Sequence, residues 1–236
     1  MKKLSLLFTK DGLQWHISKG KTVLEEAFHF VTEETSPHLV EEKLDDVLKF
    51  DDYKEIEVIS ALNHFSLTPD TFAGHELGYK LISYNAPVDE ANEELMLSVN
   101  KKFAVQFYYT FPKHFYQKIK AKKLPTKFNF SGEKFLNALT VKNHKEIHIN
   151  LYHHQVEFFA FENKKVILYN NLDADSEVDF LYFIMFSLSK INFGTAETHF
   201  HIYGETHENE TFISELKKFV KNIKLKDAGC WMLDVK

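Results

Sequence analysis

The sequence predicts an α/β protein of two lobes, each a βββαβα mixed sheet with helices. Two observations carry that expectation. In the C-terminal half three apolar-rich runs, Ile147–Tyr152, Val156–Phe161 and Lys165–Leu168, follow one another through tight turns. A helix (Ser176–Ile191), a strand (Thr198–Tyr203), an amphipathic helix (Asn209–Lys221) and a last strand (Trp231–Val235) come after them. The N-terminal half repeats the plan with Leu4–Phe8, Leu13–Ser18 and Val23–Phe30, then a helix, then Glu55–Leu62. The repetition predicts lobes over residues 1–124 and 125–236, divided at Leu124-Pro125, and no Gly/Ser-rich linker separates them.

Each element has a local reason. The first strand pair turns at Lys10-Asp11-Gly12, because an Asp-Gly pair accepts positive φ cheaply. A helix is expected over Pro37–Lys49, with Ser36 as its cap, Pro37 in its first turn and Leu39, Val40, Leu44, Val47 and Leu48 on one stripe. Ile56, Val58 and Ser60 alternate with Glu57 and Ile59 in a strand. Phe65–Pro69 leads into a short helical region reaching Leu81, and the acidic segment Asn85–Glu94 reads as a surface loop. Phe103–Tyr109 is strongly β-prone, and Pro112–Lys122 places Phe115 and Ile119 on one helical face with lysines on the other. Phe128–Phe130 reads as a short strand, and Ser131 opens a helix ending near Leu139. The helix containing Phe180–Phe193 is apolar on several sides and is expected to be buried nearly all round.

Composition sets outer limits. At 236 residues, 44% hydrophobic and 27% charged, the chain is an ordinary globular protein. Its 23 Phe and 10 Tyr promise aromatic cores. A formal charge of −5 gives no global pull toward nucleic acid or anionic membrane. The apolar run after Met1-Lys2-Lys3 is too short for a signal sequence, and Phe180–Leu188 is too short to span a bilayer, so a cytoplasmic location is expected. The only cysteine, Cys230, allows no intrachain disulfide and reads as a small buried hydrophobe beside Trp231. All 29 basic residues are lysines, which removes every arginine clamp or finger.

The passage Phe103 through Tyr152 resembles the interdomain passage of actin-like proteins of the pilus-assembly and cell-division type. Two stretches resemble an uncharacterised bacterial family with an actin-like ATPase (ribonuclease H-like) fold, the architecture shared by actins and sugar kinases. The first runs from Glu57-Val58-Ile59-Ser60-Ala61-Leu62 to Phe65-Ser66-Leu67-Thr68-Pro69. The second comprises Tyr169-Asn170-Asn171-Leu172, Asp179-Phe180-Leu181-Tyr182-Phe183 and His201-Ile202-Tyr203-Gly204-Glu205. The resemblance implies that ATP, where such proteins bind it, lies between the lobes. It implies phosphate loops of the Asp-x-Gly-(Thr/Ser/Gly) type in two hairpin turns, and a glycine pair after a strand for adenosine.

The residues do not keep those loops. In the first hairpin Asp11 and Gly12 are adjacent and Leu13 follows. In the second, Tyr152-His153-His154-Gln155 has neither Asp nor Gly, and only Gly204, followed by Glu205, stands at the adenosine position. A degenerate site that binds no cofactor is therefore expected, with Asp11, Gly12 and Gly204 as weak nucleotide candidates and Asp11-Gly12 better read as a plain turn. His148, His199 and His201 are weak metal candidates: His199 and His201 share a strand face, but no HExxH or Cys-x-x-Cys spacing supports them. Lys113, Lys118, Lys120, Lys122, Lys123 and Lys127 crowd one segment. An acidic tract runs through Glu25, Glu26, Glu33, Glu34, Glu41, Glu42, Asp45, Asp46, Asp51 and Asp52. A solvated helix face explains the lysines first. Beyond it, they suit an acidic protein partner better than a nucleic acid, which the acidic tract repels, or the two patches face each other. The reading that results is a non-catalytic interaction module, with a homodimer left open and no membrane partner. A divergent nucleotide-binding kinase or ATPase, or a nucleic-acid-associated protein using Lys113–Lys127, is the alternative.

Overall fold

The computed structural model describes the chain except residues 33, 37, 51, 153, 154, 208 and 227–236. In the first half, β1 (Lys2–Thr9), β2 (Gly12–Lys19) and β3 (Thr22–Phe30) form an antiparallel meander. Helix α1 (Leu39–Leu48) follows, then β4 (Glu55–Ser60), which lies parallel to β1. Alternation along β1 decides the layers: Leu4, Leu6 and Phe8 enter a core with Leu44 and Val47 of α1, while Lys3, Ser5 and Thr9 turn to the other face. A second sheet is inserted after β4, from β5 (Phe65–Pro69), β6 (Glu93–Asn100) and β7 (Val105–Pro112), in the order β5-β7-β6. A 3-10 turn (His75–Leu77) and α2 (Gly78–Ser83) connect β5 to β6. Helix α3 (Lys113–Ala121) leads to β8 (Thr126–Phe130), completing the order β3-β2-β1-β4-β8.

The second half repeats the order after α4 (Ser131–Ala138). β9 (Lys145–Tyr152), β10 (Gln155–Glu162) and β11 (Lys165–Asp173) form the meander. Helix α5 (Glu177–Lys190), β12 (His199–Gly204), α6 (Glu210–Lys217) and β13 (Asn222–Leu225) follow, and the sheet order is β11-β10-β9-β12-β13. Ser176 caps α5 by accepting the Asp179 amide, with Glu177 and Asp179 favourably placed in its first turn. Phe180, Ile184 and Leu188 of α5 and Ile213 and Leu216 of α6 cover the apolar sheet face formed by Ile147, Ile149 and Leu151. Each fully buried side chain of this kind contributes about 1.5–3 kcal/mol.

The structure differs from the sequence expectations at several points. The chain divides into compact units at Lys134/Phe135, inside α4, rather than at 124/125, because β8 hydrogen-bonds to β4 and holds Thr126–Phe130 in the first unit. Glu93 and Glu94, expected in a loop, start β6, whose Glu93–Asn100 run pairs with β7. Ser36 accepts the His38 amide at 3.1 Å, but α1 begins at Leu39 without a side-chain cap. Helix α5 is not buried all round: Val178, Tyr182 and Phe186 are 75%, 60% and 47% exposed. One face of α5 meets the sheet and α6, and Val178, Tyr182 and Phe186 lie exposed on the other, with Lys190 Nζ 4.9 Å from the centre of the Phe186 ring. The expected strand Trp231–Val235, Cys230 and the turn residues His153-His154 lie outside the described residues.

Candidate functional site

Gly12 and Gly204 are both needed by strand packing. Gly12 has φ +147°, and a Cβ there would stand 1.9 Å from the His29 carbonyl oxygen, across the β2–β3 ladder. Gly204 has φ +84°, and its Cβ would meet the Leu151 carbonyl oxygen at 2.0 Å. The Glu205 amide donates to that same carbonyl at 2.8 Å, which pins the end of β12 to β9. The β1–β2 turn is closed by Thr9, whose hydroxyl accepts the Asp11 amide at 3.2 Å, and by Val31, whose amide donates to the Asp11 carbonyl at 2.7 Å. Beyond Gly204, a cavity of about 430 Å³ is lined by Thr206, His207, Glu210, Ser214 and Lys217, with no glycine among these.

The lysines of the α3 region separate into two groups. Lys113 donates to the carbonyls of Glu90 and Ala91, at 2.7 and 3.0 Å. Lys118 bridges Glu41 and Asp45 of α1, at 2.9 and 2.7 Å, so part of the acidic tract faces part of the basic run within the first unit. Hydrogen bonding to Asp45 and Glu41 raises the Lys118 ammonium above its usual range. Lys122 is half-buried, whereas Lys120, Lys123 and Lys127 are exposed and form no ion pair among the described residues.

The far face of the second sheet carries an unusual polar cluster. Glu146 and His148 stand two apart on β9, and the parallel register sets His148 beside His201 of β12. Glu146 and His148 are 1% and 0% exposed, His201 9%. Glu146 accepts the amides of Lys142 and Asn143 at 3.1 and 2.7 Å, and the Asn143 side-chain amide as well. His148 Nε2 lies 2.8 Å from Glu146 Oε2, and its Nδ1 lies 3.0 Å from the Tyr203 hydroxyl. Burial pushes the Glu146 carboxyl up, but the bonds from His148 and the Asn143 and Lys142 amides outweigh it and hold it at about 2. Glu146 is thus an anion, so the His148 Nε2 proton points at it. Burial drives the Tyr203 hydroxyl up to about 12. His201 stacks on His148 with ring centroids 4.6 Å apart, and burial lowers its pKa to about 4. Neither ring nitrogen of His201 has a hydrogen-bond partner among the described residues.

Of the sequence-derived metal candidates, the fold therefore joins His148 and His201 and leaves His199 outside. His199 is half-buried and lines a cavity of about 330 Å³ with His144, Lys145 and Glu197, at the start of β9 and β12. Sequence reasoning missed Glu146. Its i, i+2 spacing to His148 was visible, but the partnership with His201 depends on parallel pairing between strands far apart in the chain.

A family model matches residues 1–223. The chain belongs to the family described as "Protein of unknown function (DUF3822)". No curated protein matches it. Among solved structures it is similar to a Bacteroides thetaiotaomicron protein described as having an actin-like ATPase fold and unknown function. The TM-score is 0.81 at 20% identity, covering 95% of this chain and 90% of that one. It is also similar to the PilM–PilN type IV pilus biogenesis complex, with TM-score 0.58 at 10% identity over 98% of this chain and 89% of that one. A third similarity is to the cytoplasmic domain of EpsL, an inner membrane component of the Vibrio cholerae type II secretion system. There the TM-score is 0.51 at 8% identity, over 97% and 86% of the two chains. The DUF3822 chain thus has the actin-like ATPase fold that its sequence resembles. No helix among its described residues is long and apolar enough to cross a membrane.

Proposed function

We propose that this chain is a non-catalytic, cytoplasmic protein-interaction module on an actin-like fold, reading an acidic partner through Lys120, Lys123 and Lys127. The carrying observation is the division among the lysines. The fold consumes Lys113 and Lys118 internally, but leaves these three exposed and in no ion pair among the described residues. Three long, solvated cations on one short segment speed encounter with an acidic surface more than they deepen affinity. The non-catalytic half of the reading is supported by Gly12 and Gly204, whose missing side chains serve strand packing, and by the lack of arginine to neutralise a transferring phosphate. PilM–PilN and EpsL are, by their descriptions, parts of multi-protein assemblies, a precedent for the fold in such settings.

Two measurements test the reading. The charge-reversed variant Lys120→Glu/Lys123→Glu/Lys127→Glu should melt like the wild type and lose the partners that wild type captures from its own cells, in nuclease-treated and untreated arms alike. Retention of the same partners at the same salt would refute the lysine face. Mg-ATP should leave thermal stability unchanged, whereas a nucleotide at a hundred times its dissociation constant would add about 2.7 kcal/mol.

A further inference from the structure

We infer that Glu146, His148 and His201 form a zinc site in the second unit, with two imidazoles and one carboxylate as ligands. Their donor atoms all lie within 4.8 Å of one another, and all three side chains are buried. Two imidazoles and a carboxylate are a donor set that Zn²⁺ accepts, with a fourth position left for water. Ligand atoms about 2.0–2.1 Å from a tetrahedral ion stand about 3.4 Å apart. The two imidazoles approach the two oxygens of the Glu146 carboxylate, His148 Nε2 at 2.8 Å from Oε2 and His201 Nε2 at 3.8 Å from Oε1, so small side-chain rotations bring one oxygen and both nitrogens to that spacing.

The surrounding groups also fit. A ligating imidazole normally uses its second nitrogen in a hydrogen bond that orients the ring, and a ligating carboxylate is normally hydrogen-bonded in turn. His148 Nδ1 has the Tyr203 hydroxyl at 3.0 Å, and Glu146 Oε1 has the Lys142 and Asn143 amides. The independent indication is His201. A buried imidazole ordinarily finds a partner for each nitrogen, because leaving such a group unsatisfied costs about 1–3 kcal/mol. His201 has none among the described residues, so ligand capacity is left over at one corner of the cluster.

Metal entry needs two adjustments. The His148 Nε2 proton, which now points at Glu146, must leave that nitrogen, and Nδ1 can then carry a proton toward the Tyr203 oxygen. The His201 ring, now stacked on His148, must turn its Nε2 into the gap, and it breaks no hydrogen bond in doing so. The cavity lined by His144, Lys145, Glu197 and His199 lies at the same end of the sheet, His199 being the β12 residue in register with Glu146. A bound ion would tie β9 to β12 in the middle of the sheet, so its effect falls on the stability of the second unit and is independent of the lysine face.

The test is Zn²⁺ titration of the metal-free full chain by calorimetry and thermal melting, with Co²⁺ as an optical probe. The expected result is one Zn²⁺ per chain, a raised melting temperature, and a Co²⁺ spectrum with the intense visible bands of a four-coordinate site. His201→Asn should still melt cooperatively when metal-free and weaken Zn²⁺ binding by about 100-fold or more. His199→Asn should bind as the wild type does. Imidazole nitrogen shifts of His148 and His201 in the wild type, read by NMR on Zn²⁺ addition, decide the matter even where a variant folds poorly. Absence of saturable binding, equal affinity in His201→Asn, or unmoved resonances of both rings would overturn the site.

Discussion

The two sheets share one topology and one register, yet their far faces carry opposite chemistry. In the first sheet Ser5 of β1 stands beside Glu57 of β4, and in the second His148 of β9 stands beside His201 of β12. Glu57 is fully engaged: Lys3 and Lys134 approach it at 2.5 and 3.0 Å, and the Asn129 amide donates at 2.9 Å. Burial alone would raise its carboxyl, but Lys134 and Lys3 pull it down to about 2. The corresponding position in the second sheet holds His201, whose ring nitrogens have no hydrogen-bond partner among the described residues. A buried polar residue with every partner in place is explained by the fold, whereas one without partners asks for something the chain does not itself supply.

The largest expected effect concerns a feature the two units have in common. Gly12→Ala and Gly204→Ala should each destabilise by about 3 kcal/mol without any nucleotide present, because each combines strained φ with a Cβ driven into a carbonyl oxygen. Urea unfolding midpoints measure it. If either variant matched the wild type, that glycine would no longer be accounted for by packing.

The contrast between the far faces gives the next effect. Glu57→Ala should cost about 2–3 kcal/mol, somewhat below the usual range for a broken buried pair because the lysine side chains are still partly solvated. His201→Asn, which breaks no hydrogen bond but loses the stacking contact with His148, should cost less than Glu57→Ala in the metal-free protein. Because the folded pKa of Glu57 lies below its ordinary 4.5, its stabilisation is complete above pH 4.5 and is lost as pH falls from there toward 2. Unfolding midpoints at pH 6 and pH 3.5 should therefore converge in Glu57→Gln relative to wild type. An unchanged pH dependence in that variant would show that the lysine clamp does not set the acid limb.

The smallest effects compare the outer helices. In the first unit α1 and α3 are joined by Lys118, while in the second α5 presents Val178, Tyr182 and Phe186 to solvent. Tyr182→Ser and Phe186→Ser should each change stability by under about 0.5 kcal/mol. Ile184→Ala, on the buried face of the same helix, should cost several times more than either. A large loss at Phe186 would mean that this face is covered after all.

What the sequence determined by itself is the repeated order of elements, from β1 to β4 and again from β9 to β12. Those elements follow from local causes: period-two alternation in Leu4–Phe8, an Asp-Gly turn, and Ser176 capping an apolar helix. The departure of both hairpin turns from the Asp-x-Gly pattern was equally legible, since it needs only the adjacency of Asp11 and Gly12 and the residues Tyr152–Gln155. Only the tertiary structure decided which side of α5 meets the sheet, that Thr126–Phe130 belongs to the first unit, and that Lys118 faces Glu41 and Asp45. It alone decided the His148–His201 pair as well. Each of these depends on pairing across long sequence separation, where a one-residue shift of register would send a side chain to the opposite face.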